Sequence, residues 1–149
     1  MYLLFNEAKC KAQHITKKTE PLLSSFKLNN NALELFPAEK DLGVRITKDM
    51  TWHKQVNEQS SRANKLLGYL KRNTRFILRT EVRRMLYLAL VRPHLGYATQ
   101  IWLAPQSIEL IAKLERIQRR ATKFTLKLPY SSNISYKSRL QTLHLIPIG

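Results

Sequence analysis

The chain has 149 residues, 44% of them hydrophobic, with 26 Lys and Arg against 10 Asp and Glu, a formal net charge of +16 at pH 7. That length supports one domain with a core and excludes two full domains, and so large an excess of one sign repels itself unless an anion binds. Nucleic acid is the first candidate partner and an anionic lipid surface the second, but no apolar run approaches the ~20 residues of a spanning helix, so no membrane partner is expected.

"MYLLF" (1–5) is too short an apolar stretch, without a small-residue cleavage site, to serve as a secretory signal. The only cysteine, Cys10, can form no internal disulfide. An intracellular chain, in nucleus or cytoplasm, is expected, with Cys10 a small buried residue rather than a zinc ligand or reactive thiol. In "KCKAQHI" (9–15), Cys10, Ala12 and Ile15 stand against Lys9, Lys11 and Gln13, the period-two pattern of a half-buried strand. A second strand is expected at 24–28, and the asparagines of "LNNNALEL" predict a hairpin. "KDLGVRIT" (40–47) reads as a further strand, with Leu42, Val44 and Ile46 on one face and Gly43 where another backbone can approach closely.

From residue 50 onward the periodicity is helical. The first helix is expected over 51–73, capped by Asp49 or Thr51, with the stripe Val56, Ser60, Ala63, Leu67 and Leu70 widened by Leu66. Lys71, Arg72 and Arg75 gather at its end, where cations can meet an anionic partner or simply favour the helix dipole. The second helix opens with Thr80 as N-cap and Glu81 in the first turn and directs Val82, Met85, Leu86, Ala89 and Leu90 toward the core. Pro93 should end or bend it, since a proline inside a helix costs roughly 3 kcal/mol. The third is expected from Ser107 as N-cap, with Glu109 in its first turn, to Pro129, with the stripe Leu114, Ile117, Ala121, Phe124 and Leu128. A short last helix follows at 135–143.

Lys113, Arg116, Arg120, Lys123 and Lys127 each precede a member of that third stripe by one position, so the cationic row lies about 100° around the helix from the apolar one, and Arg119 thickens it. Such a rail can follow phosphates, binding with strong salt dependence and little base preference. A solvated charged face is the plainer alternative. Trp52, Tyr69, Tyr87, Tyr97 and Trp102 can stack on bases, although most are expected to pack.

Catalytic patterns are missing. Asp41 and Asp49 are the only aspartates and the glutamates are dispersed, so no carboxylate set for two-metal chemistry is evident. His14, His53, His94 and His144 lack metal-ligand spacing and read as packing or surface residues, and no Gly-rich phosphate loop is present. No catalytic residue and no metal ligand is assigned.

Six blocks nevertheless carry a resemblance: "LLFNEAKCK" (3–11), "EKDLGVRITKDMTW" (39–52), "RANKLLGYLKRN" (62–73), "LYLALVRPHLGYATQIWLAP" (86–105), "IELIAKLERIQRRATKF" (108–124) and "YKSRLQTLHLIPI" (136–148). In this order they resemble the C-terminal part of reverse transcriptases, RNA-directed DNA polymerases, of non-LTR (LINE-like, jockey type) retrotransposons, over nearly the whole chain. The resemblance implies an α+β, mainly α fold: a small β-hairpin or strand remnant of the palm over 1–48, then a thumb-like bundle of three to four helices with a C-terminal extension over 49–149. It makes Asp41, Leu42, Gly43 and Val44 similar to the primer grip. The family's "YxDD"-type loop and earlier aspartate, through which the intact enzyme uses Mg2+, are not in this sequence, so no cofactor and no polymerase activity is expected of this chain alone.

In the family's "LVRPxLEY" signature the proline lets a thumb helix bend while the following aromatics pack. Here Gly96 stands where Glu is common, which should remove a partner for a basic neighbour and loosen the turn. The usual "LexRR" continuation is missing after "LIPIG", so the chain reads as a truncated element or a degenerate copy. The function expected is a reverse-transcriptase fragment that grips an RNA or DNA duplex. The alternatives are a module that self-associates through exposed apolar helix faces, or no molecular function.

Overall fold

The computed structural model describes residues 6–18, 24–77, 79–97, 99 and 108–148; "MYLLF", Trp102 and the expected cap Ser107 lie outside them. The fold is α+β and mainly α. It divides into two compact units, Met1–Gln55 and Val56–Gly149, the division falling within the first turn of the first helix rather than at 48/49.

The first unit holds two hairpins. Strands β1 (Lys27–Leu28) and β2 (Asn31–Ala32) pair antiparallel. Asn29 and Asn30 form their turn at φ 47° and 67°, the left-handed region that asparagine tolerates. The asparagine turn is as expected, but β1 is shorter than 24–28. Strands β3 (Ala38–Asp41) and β4 (Val44–Thr47) also pair antiparallel, from Ala38 opposite Thr47 to Asp41 opposite Val44. The single strand expected at 40–47 is therefore a hairpin. Leu42 (φ 44°) and Gly43 (φ 82°) are its two-residue turn, a conformation for which glycine has no Cβ penalty, and Leu42 is 84% exposed instead of facing inward.

No strand forms at 9–15. One 3₁₀ turn, Glu7–Lys9, precedes a single parallel bridge between Ala12 and Leu35. The Ala12 N–H donates to Glu34 O (3.1 Å) and Ala12 O accepts from the Phe36 N–H (3.0 Å). Cys10 is half-buried and free, not fully buried. Asp49 does not cap the following helix. Its carboxylate accepts from the Thr51 amide (3.3 Å) and hydroxyl (3.0 Å), and hydrogen bonds from Thr47 and then Thr51 hold its pKa at about 2.

Helix α1 (His53–Asn73) buries the predicted stripe, Val56, Ser60, Ala63, Leu67 and Leu70, with Leu66 half-buried beside it. Helix α2 (Thr80–Leu86), a π-helical turn (Tyr87–Val91) and helix α3 (Arg92–Gly96) then run on without a break. The N-cap is Arg79, not Thr80, while Glu81 stands in the first turn as expected. The π turn accounts for the proline. The Arg92 N–H reaches back to Tyr87 O, and this wider winding meets the lost amide and ring clash of Pro93 without a break.

The same turn resets the buried face. Arg83, Tyr87, Val91 and Leu95 are buried, whereas Val82 and Leu86 are half-buried, Ala89 and Leu90 exposed, and Met85 65% exposed. Steps of four residues drift around a 3.6-residue helix but hold one face where a wider turn is inserted. The core face expected from three-four spacing is thus overturned. At Gly96 the turn is closed by the Tyr97 N–H, which donates to Pro93 O (2.9 Å), and a Cβ there would meet nothing within 4 Å.

Helix α4 (Ile108–Thr125) has Glu109 in its first turn. Leu114, Ile117 and Ala121 are buried, but Phe124 and Leu128 only half so; the buried face extends the other way, to Gln118, Thr122 and Thr125. The helix stops short of Pro129. Lys127 takes φ 54°, the Leu128 N–H donates to Lys123 O (2.9 Å) and the Lys127 N–H to Phe124 O (3.2 Å), a Schellman cap with lysine where glycine is usual. Helix α5 (Tyr136–Thr142) is capped by Ser135, whose Oγ accepts from the Ser138 N–H (3.1 Å).

One buried polar network ties these helices. The Tyr87 hydroxyl (2.9 Å) and Arg92 donate to Gln118 Oε1, and Gln118 Nε2 donates to the Tyr136 hydroxyl (3.0 Å) and Ile146 O (2.9 Å). Tyr136 donates in turn to Glu115, which also accepts the Ile148 N–H (2.7 Å). Burial first, and then the bond to Glu115, pushes the Tyr136 hydroxyl pKa well up.

Candidate nucleic-acid interface

Two hydrogen bonds show how α4 lies beside α1. Lys113 donates to Asn57, and two turns further along each helix Arg120 donates to Asn64. The two helices therefore run parallel in register. The next step of the same register would match Lys127 with Lys71, so a second cation stands where the first two steps offer an amide acceptor. Here the contact opens into a cleft of about 560 Å3.

Six cations line that cleft: Lys71 and Arg75 from the end of α1, Arg83 from α2, Arg120 and Lys123 from α4, and Lys127 from its cap. Phe124, Leu128, Pro129 and Tyr130 supply apolar wall, and no carboxylate is among the lining residues. Helix C-termini attract cations, but two of them offer only about −0.5 elementary charge each, well short of six. Burial, and then the neighbouring Arg120, push the Lys71 ammonium pKa down. A bound anion would relieve the second effect.

The cations are not equivalent. Arg83 is buried: its Nε donates to Ile77 O (2.7 Å), its Nη1 to Phe124 O (3.0 Å), and its guanidinium lies 5.2 Å from the Phe124 ring centre. Lys123 Nζ donates to Tyr130 O (2.5 Å) and lies 4.9 Å from the centre of that ring. Among the described residues, the side chains of Lys71, Arg75 and Lys127 make no hydrogen bond or ion pair.

Of the rail expected along the third helix, Lys113, Arg116, Arg120 and Lys127 are exposed and Lys123 is half-buried, and Arg120, Lys123 and Lys127 line the cleft. The structure brings Lys71, Arg75, Arg120, Lys123 and Lys127 together. Lys113 is bonded to Asn57 further back, and Arg116 and Arg72 are exposed but outside the cleft lining. Arg119 does not thicken the row, because one position along turns it toward α5, where its guanidinium lies 4.8 Å from the Tyr136 ring centre. Arg83 and Tyr130 were not singled out: the first sits on a face that the π turn resets, and the second follows the helix end in "LPYSS" with no periodic signal.

Asp41, Leu42, Gly43 and Val44 form the tip of the β3–β4 hairpin in the first unit. Asp41 and Leu42 are exposed, but Val44 is buried and unavailable to a primer. Of the aromatics, Tyr87 is buried as expected and Trp52 half-buried, whereas Tyr69 and Tyr97 are exposed rather than packed. Among the described residues no three His, Cys, Asp or Glu side chains gather in one place. No described helix is long and apolar enough to cross a membrane.

No family model, curated protein or solved structure matches this chain.

Proposed function

We propose that the chain is the thumb-side, C-terminal part of a non-LTR reverse transcriptase whose own capacity is a sequence-tolerant grip on an RNA–DNA or DNA duplex, with a nuclear or cytoplasmic place of action. It is not a polymerase by itself, since the carboxylates that would hold Mg2+ lie outside this sequence. The observation that carries the grip is the convergence of Lys71, Arg75, Arg120, Lys123 and Lys127 on one carboxylate-free cleft. The six ordered blocks support the ancestry.

Binding to a labelled duplex over a range of salt tests it. Each phosphate neutralised contributes about 0.9 to the log–log slope. Changing Arg116, Arg120 and Lys123 together to Gln should weaken binding alike on all sequences and flatten the slope by up to about 2.7. Absence of binding at low salt rejects the grip.

A second reading has an observation of its own. Met85 and Leu90 project from the outer side of α2 and the π turn, the exposed apolar face through which copies would associate. Light scattering that shows a dimer weakened by Met85→Glu would favour it; a monomer at all concentrations would remove it.

A further inference from the structure

We propose that the cleft at the ends of α1 and α4 holds one unpaired nucleotide at the edge of a duplex, with its base stacked on Tyr130 and its flanking phosphates on Lys71, Arg120 and Lys127. This inference rests on the duplex grip proposed above and assigns the cleft a different task within it. A duplex presents its phosphates on a convex outside and keeps its base faces covered by their neighbours. Phosphates on a convex surface need charge, and they have no use for the apolar wall of Phe124, Leu128 and Pro129. An unpaired base uses both, the wall for its face and the cations for its backbone. The volume of about 560 Å3 lies in the range that receives a small molecule, about 300–1,000 Å3, and so admits a single nucleotide.

Tyr130 supplies the second, independent observation. It is 90% exposed at the rim of the cleft, and Lys123 bonds its carbonyl oxygen and sets its ammonium 4.9 Å from the ring centre. An exposed aromatic at the rim of a cationic cleft is a platform on which any base can stack. Lys127 adds to the picture, because it is kept in a left-handed conformation at a position that glycine usually fills. The lining contains no Asn, Gln, Asp, Glu, Ser or Thr. Recognition here is by stacking and charge.

The experiment compares a blunt duplex with a duplex of equal phosphate count that ends in a short unpaired overhang, the overhang being DNA in one arm and RNA in the other. At least one overhang should bind about tenfold more tightly than the blunt form. Replacing the overhang bases by abasic sites, which keeps the phosphates, should remove that advantage. Tyr130→Ala should reduce the overhang-to-blunt ratio to about one, whereas Tyr130→Trp should keep or raise it. A fluorescent adenine analogue in the overhang should be quenched by the native protein and by Tyr130→Trp, but not by Tyr130→Ala. Equal affinity for overhang and blunt duplex, or a ratio untouched in Tyr130→Ala, overturns the inference. The salt slope on the blunt duplex reads the grip separately: with a steep slope and no overhang preference the grip stands and this inference falls, and with no binding to either both fall.

Discussion

The helical unit uses the same side chains in two opposite ways. Around Gln118, arginine is a cross-link: Arg92 donates to Gln118 and to the carbonyls of Ile146 (3.0 Å) and Pro147 (3.4 Å). Nearby, buried Arg139 donates to Arg119 O (3.0 Å) and Thr122 Oγ1 (3.1 Å). At the ends of α1 and α4, the side chains of Lys71, Arg75 and Lys127 have no such acceptors, whereas Arg83 and Lys123 are committed to carbonyls. The difference is a matter of acceptor supply. Where carbonyls and amides are at hand a cation becomes scaffold, and where they run out its charge remains for an outside anion. A formal +16 therefore overstates what a polyanion can use.

Three substitutions probe that contrast. Gln118→Leu should have the largest effect, because it leaves the buried Tyr87 hydroxyl without its acceptor and takes one of the partners of Arg92, the Tyr136 hydroxyl and Ile146 O. We expect a loss of roughly 3 kcal/mol in urea denaturation with an unchanged salt slope of duplex binding at low temperature. A changed slope with intact stability would mean that scaffold and cleft are not separate. Lys127→Gly should relieve the left-handed lysine and stabilise the protein by about 0.5–1 kcal/mol in the same assay, while lowering the salt slope by about 1. Lys71→Asn should extend the Asn57 and Asn64 pattern by one more step. A gain of a few tenths of a kcal/mol in thermal melting is expected, about that of an exposed charged pair, again with a slope lower by about 1. A melting point that falls instead would show that Lys71 already has a structural task.

Local signals were the legible ones. The stripe of α1 and the asparagine turn could be read because each depends on neighbours in the chain, and five of the cleft's cations were named because charge survives any error of register. Three features were hidden for physical reasons. The π turn changes the period midway, so a reader who counts three and four places Met85 and Leu90 inside and leaves out Arg83. The end of α4 is made by a lysine in a conformation associated with glycine, so the sequence pattern runs on to Pro129. The pairing of Asn57 with Lys113 and Asn64 with Arg120 depends on how two helices meet, which no single helix encodes. That pairing decides which cations are occupied.

The network around Gln118 closes on residues at the far end of the chain. Ile146, Pro147 and Ile148 contribute backbone groups to Arg92, Gln118 and Glu115, so these residues act as the final stitch of the interior rather than as a fringe. Removing Ile146, Pro147 and Ile148 would take backbone partners from Arg92, Gln118 and Glu115 at once.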